Sequence, residues 1–294
     1  MFRLIHKMFG IPGRHLVSRL NFFPRTRRNR SRNRIAVYTC LFGYSERFID
    51  LIYERDETLD FICFTDMPEL QSAFWRIEHV DRGSLDPARA AKQRKILAHR
   101  FLADYSASLY VDNTVRLKMP PGEIFSRYLH RSQSPLVCFQ HPWRHCVYDE
   151  AREVLALGFD KPELVDAQMA RYRKLGYPQN NGLWKGAFLL RRHHDRRLVR
   201  VMETWFQLVR TYSQRDQLSF PVAAWLRNFQ PQFIPAYFID NDLLEYPYPP
   251  NPVRLPRGFD DELYLQLNPD VRAANMNPRQ HYLSSGAEEG RRFR

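Results

Sequence analysis

Short apolar runs that end abruptly in polar residues constrain the fold of this chain more than any other feature. Residues 35–43 form a near-continuous apolar run ended by glycine, and residues 61–64 and 109–111 are followed by Thr65-Asp66 and by Asp112. Such runs are typical of strands buried on both faces in an α/β sheet. Because ligands bind beyond the carboxyl ends of these strands, we expect Asp66 and Asp112 at a site edge.

A helix with several cations is predicted between the second and third of these runs. Pro87 suits a first helical turn, and the apolar residues after it repeat with helical spacing. Lys92, Arg94, Lys95 and His99 then lie within two turns of one another. They form either an ordinary solvated face or a surface from which Arg94 or Lys95 reaches a diphosphate.

Asp112 allows two interpretations from its local sequence. With Asn113 it forms the Asp-Asn pair that is common in turns. Alternatively, its carboxylate binds Mg²⁺ or Mn²⁺, which prefer oxygen ligands and share them with substrate phosphates. The spacing leaves both open.

The net charge of +13 is concentrated at the amino terminus. Ten Lys and Arg residues and no acid occur in residues 1–34, so the rest of the chain carries only +3. The segment is either a solvated leader or a peripheral contact with an anionic membrane surface. Since the body has no basic stripe or stacking motif, we expect no nucleic-acid partner.

The apolar runs and cysteines point to a chain that is soluble or peripheral to a membrane. No apolar run approaches transmembrane length, and Pro12-Gly13 interrupts the one run near the start. The four cysteines have no Cys-x-x-Cys spacing, so we expect small buried hydrophobes in a reducing compartment and no zinc site. The expected location is cytoplasmic, peripheral at the inner face of the membrane.

The segment after the strand predicted at residues 135–139 holds the densest set of chemical groups. His141, Trp143, Arg144, Asp149 and Glu150 lie within ten residues. Aromatic and polar groups in this density suit a sugar site. The alternative is a hydrolase site with a histidine of this segment as base.

Composition divides the chain into four parts. We expect a flexible basic segment at 1–33, a main α/β domain at 34–245, a proline-rich linker at 246–257 and a small helical motif at 258–294. The last part has too little apolar mass to fold well alone, so it should dock on the main domain or on a partner.

Together, these motifs resemble a known family. It is the glycosyltransferase-like domain shared by plant mucilage and turgor-regulation proteins and by many bacterial proteins. The carriers are Val37–Gly43, Phe64–Asp66, Arg94-Lys95 with His99, Leu109–Asn113, His141–Arg144, Asn181–Gly186 and Arg215–Gln217. Residues 258–294 resemble a short bacterial carboxyl-terminal motif that is often joined to glycosyltransferases. The resemblance implies a GT-A-like, Rossmann-like mixed sheet flanked by helices that uses a nucleotide-sugar donor.

The resemblance also implies roles for individual residues. Donor-binding roles fall on Thr39, Asp66, Arg94, Lys95, Asp112, Asn113 and Gly186; acceptor or sugar contacts on His141, Trp143, Arg144 and Trp184; catalytic roles on Asp216 and Gln217. From its position in the segment after residue 139, Asp149 or Glu150 is the second choice for the catalytic carboxylate. Asp112 would begin the Asp-x-Asp motif that binds Mn²⁺ or Mg²⁺ in GT-A enzymes. Because Asn113 and Thr114 follow it, one carboxylate stands where the motif has two.

The leading hypothesis is transfer of a hexose or pentose from a nucleotide sugar to a glycan or cell-envelope acceptor. Two alternatives stay open at this point. One is a module that binds a nucleotide or glycan without turnover, and the other is an amide or ester hydrolase using His141 or His145. The reaction products distinguish the transferase from the hydrolase, since a hydrolase needs no sugar nucleotide.

Overall fold

Three of the strands in the central sheet coincide with the apolar runs. The computed structural model describes residues 34–294. The strands are β1 (Ile35–Leu41), β2 (Leu59–Thr65), β3 (Arg76–His79), β4 (Ala107–Val111), β5 (Arg116–Leu117), β6 (Leu136–Gln140), β7 (Trp184–Arg191), β8 (Gln232–Phe233) and β9 (Leu244–Glu245). Nearly every residue of β1, β2 and β4 is buried, as expected for strands covered on both faces.

Seven of the strands form one mixed sheet in the order β3-β2-β1-β4-β7-β6-β8. The first four are parallel to one another. β7 lies antiparallel to both β4 and β6, and β8 runs parallel to β6. The carboxyl ends of β1, β2 and β4 therefore meet at one edge, next to the amino-terminal half of β7.

Helices cover the sheet. They are α1 (Pro87–Ile96), α2 (Ala98–Phe101), α3 (Pro121–Ile124), α4 (Val147–Ala156), α5 (Pro162–Leu175), α6 (Arg196–Thr211), α7 (Phe220–Leu226), α8 (Asp261–Leu267), α9 (Pro269–Ala273) and α10 (Pro278–His281). π-helical turns follow α3 and α10, and a 3₁₀ turn spans Asp216–Leu218. The predicted fold class is confirmed at this level: the chain is an α/β protein with a mixed sheet flanked by helices.

Local sequence fixes the helix that matters most for the site. α1 begins at Pro87, directly after Asp86, whose carboxylate accepts a hydrogen bond from the backbone N–H of Arg89 at 2.9 Å. The helix packs against α6. Its final turn is held to the sheet by the Tyr38 hydroxyl, which donates to the carbonyl oxygen of Lys95 at 2.8 Å.

The proline-rich stretch and the carboxyl-terminal helices lie against the loop that follows β1. Arg47 N–H donates to Val253 O at 3.1 Å, and Leu255 N–H donates to Ser45 O at 3.1 Å. The segment 258–294 has its own small apolar cluster around Tyr264. Asn33–Arg294 cluster as one compact unit, so the appended helices are docked on the sheet domain.

None of the helices within residues 34–294 is long and apolar enough to cross a membrane. The basic segment 1–33, for which a membrane contact was predicted, lies outside the described residues.

Candidate active site

Asp112 lies where β4 ends, as its sequence position predicted. Its backbone N–H donates to Ala187 O on β7 at 2.9 Å, which fixes the residue between the two strands. Its Oδ1 accepts a hydrogen bond from the Tyr110 hydroxyl at 2.6 Å. About a third of the side chain, 35%, is exposed, so the carboxylate faces a space that a ligand can enter.

Lys95 brings Asp112 together with a second carboxylate from a distant part of the chain. The Lys95 ammonium, on a side chain only 3% exposed, lies 2.6 Å from Asp216 Oδ2 and 3.7 Å from Asp112 Oδ1. One turn earlier on α1, Lys92 Nζ lies 3.3 Å from Asp216 Oδ1. These four residues form an ionic cluster at the carboxyl edge of the parallel strands.

Asp216 reaches the cluster because its turn is anchored on α6 and because Gly186 leaves room for it. Trp205 Nε1 donates to the carbonyl oxygen of Asp216 at 3.0 Å. A Cβ atom at position 186 would lie 3.1 Å from Lys95 Nζ and 3.2 Å from Asp216 Oδ2. Glycine on β7 thus permits the close approach of the ion pair to the sheet.

The ion pairs keep both carboxylates charged. Burial acts to raise the pKa of Asp216, but Lys92 and Lys95 outweigh it and hold that pKa far below its usual range. The pKa of Asp112 is also lowered, by Lys95 and Lys92 against the effect of burial. Burial acts to lower the pKa of Lys95, but Asp112 and Asp216 raise it above the ordinary value. Lys95 and both carboxylates are therefore ionised at neutral pH, whereas burial lowers the pKa of Lys92.

Cations outnumber carboxylates around the cluster. Lys185 on β7 and Arg215 lie close enough to influence it electrostatically, in addition to Lys92 and Lys95. Burial lowers the pKa of Lys185, while Asp112 acts to raise it. Four basic side chains and three carboxyl groups, those of Asp112, Asp216 and Glu46, thus influence one another, and the basic side chains suit a phosphate-bearing ligand.

This donor set does not fit a divalent cation. Lys95 lies within 4 Å of both carboxylates, and a cation between them would meet its ammonium. Within residues 34–294, no group of three or more His, Cys, Asp or Glu side chains could hold a metal ion. The metal-binding role predicted for Asp112 stays a prediction, and the positive charge that the structure shows beside this carboxylate is the Lys95 ammonium.

A cavity of about 720 Å³ opens beside the cluster. Lys92, which pairs with Asp216, and Arg215 line this cavity together with the loop Cys40–Glu46 after β1. Its volume lies within the range of about 300–1,000 Å³ that is common for small-molecule sites.

With this geometry established, comparison with known proteins gives the family. The family model described as the TOD1/MUCI70 glycosyltransferase-like domain matches residues 31–243. The chain belongs to this family. The resemblance inferred from the motifs is thereby confirmed.

Two relatives of this TOD1/MUCI70 domain illustrate how far the similarity extends. The Arabidopsis thaliana protein named "Probable hexosyltransferase MUCI70" is 26% identical over 192 residues, which is 62% of this chain and 31% of the relative. The chain thus spans about a third of the length of that relative. Among solved structures, the apo structure of the bifunctional glycosyltransferase WbbM matches with a TM-score of 0.40 and 8% identity, covering 69% of this chain and 39% of the other.

The other predicted donor residues of this TOD1/MUCI70 domain hold the edge of the sheet together. Asp66 Oδ1 accepts from the Gly43 N–H at 2.8 Å, and Oδ2 lies 2.6 Å from Arg82 Nε. Asn113 Oδ1 accepts from the Ile49 N–H at 2.8 Å. Both residues therefore shape the loop after β1.

Two further donor candidates lie apart from the ionic cluster. The Arg94 guanidinium lies over the Phe101 ring, 3.8 Å from its centroid. Thr39 is buried in β1, and its hydroxyl has no hydrogen-bond partner among residues 34–294.

In the segment after β6, most of the polar side chains are held by partners within the protein. His141 is buried, and its Nδ1 accepts from the Arg144 N–H at 3.1 Å. Burial lowers the pKa of His141 to about 3, so its ring is neutral at physiological pH. The Arg144 Nε donates to Glu150 Oε2 at 2.5 Å. Trp143, by contrast, is 60% exposed and remains available for a ligand.

Asp149 and Trp184 are not brought to the cluster. The Asp149 carboxylate accepts from Arg152 at 2.7 Å on the outer face of α4. The Trp184 ring is buried and lies edge-on to Phe220, with centroids 5.0 Å apart. Gln217 does adjoin the cluster, and its buried Nε2 has no hydrogen-bond partner in the described chain.

Sequence reasoning missed three residues that build this site. Tyr110 donates a hydrogen bond to Asp112, and Lys185 interacts electrostatically with the same carboxylate. Arg191 bonds to the end of α1, the helix that carries Lys95. Lys185 had a signal, because it lies between Gly182 and Gly186 in a pattern that allows close backbone approach. Tyr110 and Arg191 lie inside apolar strands, and their partners depend on the order of the strands.

Proposed function

We propose that this chain transfers a sugar from a nucleotide-sugar donor to a glycan or cell-envelope acceptor. The observation that carries the proposal is the buried Lys95 ammonium between Asp112 and Asp216, next to Lys92, which pairs with Asp216 and lines the cavity. Family membership supports glycosyl transfer in general. The donor, the acceptor and the roles below belong to the proposal.

In this proposal the diphosphate of the donor lies over the cationic side of the cluster. Lys92 is 25% exposed, and it lines the cavity together with Arg215. Both can neutralise phosphate oxygens, and Lys185 adds charge from β7. The charge that develops on the leaving diphosphate is thus stabilised by side chains of the chain itself.

The reaction breaks the bond between the anomeric carbon and the phosphate oxygen. The bonding electron pair leaves with the nucleoside diphosphate, an acceptor hydroxyl oxygen bonds to the anomeric carbon, and the hydroxyl proton is released. Positive charge develops on the sugar ring in such transition states. Asp216 is ionised throughout, since its pKa is held so low. This suits an electrostatic role for its carboxylate rather than the acceptance of a proton.

Two further side chains complete the sugar site. The unpartnered Nε2 of Gln217 is a buried donor, which is costly unless a ligand accepts its hydrogen bond. The exposed ring of Trp143 offers an apolar face for the acceptor sugar. We assign Gln217 to the transferred sugar and Trp143 to the acceptor.

The location follows from the same proposal. We place the chain in the cytoplasm, with residues 1–33 as a peripheral contact on the inner face of the membrane and no nucleic-acid partner. Sedimentation with vesicles containing anionic lipid, compared with neutral vesicles, tests the contact through its loss at high salt.

The decisive experiment measures donor binding and donor consumption by the purified chain. Thermal unfolding against uridine, guanosine and cytidine diphosphate sugars identifies the donor class, because ligand at about a hundredfold over its Kd stabilises by about 2.7 kcal/mol. Release of nucleoside diphosphate is then followed for wild type, Asp216→Asn and Asp166→Asn. Asp166 is an exposed carboxylate on α5 and serves as the control.

We expect one donor class to bind and turn over, and Asp216→Asn to lose turnover at least a hundredfold while Asp166→Asn keeps it. Binding without turnover under all acceptor conditions would instead indicate a non-catalytic module. Failure of every nucleotide sugar to bind would contradict the proposal and direct attention to hydrolase chemistry at His141.

A further inference from the structure

The cavity beside the ionic cluster is closed by a part of the chain that lies beyond the family match. The match ends at residue 243, whereas Leu255, Pro256, Gly258, Phe259 and Arg279 line the cavity together with the loop Cys40–Glu46. We propose that the carboxyl-terminal segment 255–279 forms one wall of the pocket for the nucleoside of the donor. This inference rests on the proposed function, because it assumes a nucleoside diphosphate with its phosphates on the cluster.

The position of the phosphates sets where the nucleoside must lie. Lys92 and Arg215 line the cavity at its contact with Asp216 and Lys95, so a diphosphate bound there has the rest of the cavity beyond it. That remaining space lies between the loop after β1 and the carboxyl-terminal segment. A nucleoside attached to the diphosphate therefore extends between these two walls.

The wall is fixed to the sheet domain by polar contacts at several points. Arg254 Nε lies 3.5 Å from Glu46 Oε2, and Arg47 Nη1 lies 2.7 Å from Glu288 Oε1. The backbone bond from Leu255 N–H to Ser45 O adds a contact at the rim of the cavity. The segment thus has a set position on the loop before any ligand arrives, which limits the ordering cost of binding.

The same segment also positions an aromatic side chain of the main domain. Arg257 Nη2 donates to Leu157 O at 2.8 Å and also bonds to Gly158 O, directly before Phe159. The Phe159 ring lines the cavity, is 47% exposed and lies 4.8 Å from the Arg215 guanidinium carbon. An exposed ring in a pocket wall is a stacking surface for a nucleobase.

The chemical class of the ligand follows from these walls. Apolar surface comes from Phe159, Pro256 and Phe259, and positive charge comes from Lys92, Arg215 and Arg279. The two acids that also line the cavity, Glu46 and Asp86, are paired with Arg254 and Arg89. A flat base attached to an anionic group matches both properties, whereas a free sugar can stack on the aromatic surface but has no charge for the basic side chains. The structure therefore assigns the pocket to a nucleoside diphosphate and leaves the base to the binding experiment.

The test is calorimetric titration of the full chain with UDP, GDP, CDP and ADP, and with inorganic pyrophosphate as the probe without a nucleoside. Two variants alter the wall, Arg279→Ala and Phe259→Ala. Arg272→Ala is the matched control for the first, because Arg272 pairs with Glu262 at 2.6 Å as Arg279 pairs with Asp261 at 2.6 Å, both on the surface. Phe293→Ala is the control for the second, since Phe293 packs on Phe259, with centroids 6.4 Å apart, outside the cavity lining.

We expect the best nucleoside diphosphate to bind at least tenfold more tightly than pyrophosphate. Arg279→Ala and Phe259→Ala should weaken its binding about tenfold and change pyrophosphate binding less than threefold, and both controls should bind it as wild type does. Thermal unfolding checks that each variant keeps the fold. Lys92→Met should weaken the binding of both the nucleoside diphosphate and pyrophosphate, because it removes a phosphate contact.

Two results would overturn the inference, and they differ in what they imply for the function. If nucleoside diphosphates bind but neither wall variant changes their Kd, the segment is not part of the pocket and the proposed function stands. If no nucleoside diphosphate binds the wild-type chain, the proposed function fails and this inference fails with it.

Discussion

The guanidinium of Arg191 donates a hydrogen bond to the carbonyl oxygen of Lys95 at 2.9 Å. Arg191 is completely buried on β7, and the same Nη1 approaches Ile96 O at 3.3 Å while Nη2 bonds the Tyr38 hydroxyl. A buried cation in the sheet thus holds the last turn of α1, the turn that carries the central ammonium of the site. α1 can hold Lys95 beside two carboxylates because Arg191, on the sheet, fixes the carboxyl-terminal end of the helix.

Replacing Arg191 with methionine should weaken donor binding as well as the fold. The variant leaves buried carbonyl oxygens without their charged donor, which costs about 1–3 kcal/mol of unfolding free energy. Arg192→Met is the matched control, because Arg192 donates to Leu129 O at 2.8 Å and to Ser134 O at 2.9 Å, away from the cluster. Both variants should unfold at lower denaturant, but only Arg191→Met should raise the Kd for the donor. Equal Kd values in the two variants would contradict a positioning role.

The Lys95–Asp216 ion pair should show strong coupling in a double-mutant cycle. Lys95→Met leaves a carboxylate that is 8% exposed without its nearest cation, and breaking a buried pair in this way costs about 3–5 kcal/mol. Lys95→Met combined with Asp216→Asn should cost less than the sum of the single changes, by about 0.5–3 kcal/mol. Denaturant unfolding measures the cycle, with Lys174→Met on the exposed face of α5 as control. Additive effects would mean that the pair contributes no mutual stabilisation.

Acid should destabilise the fold through two buried histidines. Burial lowers the pKa of His141 and of His193 to about 3 each. Between about pH 6.5 and pH 3 the unfolded chain therefore binds protons that the native chain does not, so stability rises with pH across this window and falls on acidification. Each histidine should contribute about 2 kcal/mol of this loss between pH 7 and pH 4.5.

Urea unfolding at a series of pH values measures this dependence. His193→Gln should reduce the dependence of the unfolding free energy on pH by the contribution of His193. The variant keeps a polar group near Ser108 Oγ and Leu102 O, but glutamine does not bind a proton. His130→Gln, on the surface, should leave the profile unchanged. An unaltered slope in His193→Gln would contradict this, because it would mean that the ring binds its proton in the native chain at the same pH as in the unfolded chain.

Donor turnover should persist without divalent cations, because Lys92, Lys95 and Arg215 supply the positive charge near the phosphates. We expect the rate after exhaustive EDTA treatment to stay within about threefold of the rate in Mn²⁺, with the donor class found by binding. Lys92→Met should lower the rate far more than EDTA does. Loss of turnover in EDTA and its recovery with Mn²⁺ would instead support the metal site predicted at Asp112.

Much of the fold could be predicted because its signals are local. The apolar runs at β1, β2 and β4 and the Pro87 start of α1 follow from residue type and spacing within a few positions. The placement of Asp112 at a strand end followed from the same pattern. The Asp-Asn turn and the ligand-facing site were offered as alternatives. Asn113 fixes the neighbouring loop, and the Asp112 side chain is 35% exposed beside Lys95, so the ligand-facing site stays a prediction.

The roles of particular side chains were harder to predict. Arg94 and Lys95 are adjacent on one helix, but Arg94 stacks on Phe101 while Lys95 points into the cluster. His141 and Arg144 were attractive as chemical groups, but one caps a turn and the other forms an ion pair with Glu150. Residue type and spacing do not predict these contacts, because each contact depends on which side chains from other parts of the chain pack around the residue.

The sequence by itself determined that the chain has an α/β sheet with acidic residues at the ends of its strands, because burial on both faces and helix capping act between residues close in sequence. Only the tertiary structure decided that Lys95 meets Asp216, that Gly186 leaves space for the pair and that the carboxyl-terminal segment closes the cavity. Those contacts join elements far apart in the chain. They depend on the order of the strands and on side-chain packing, which no local pattern specifies.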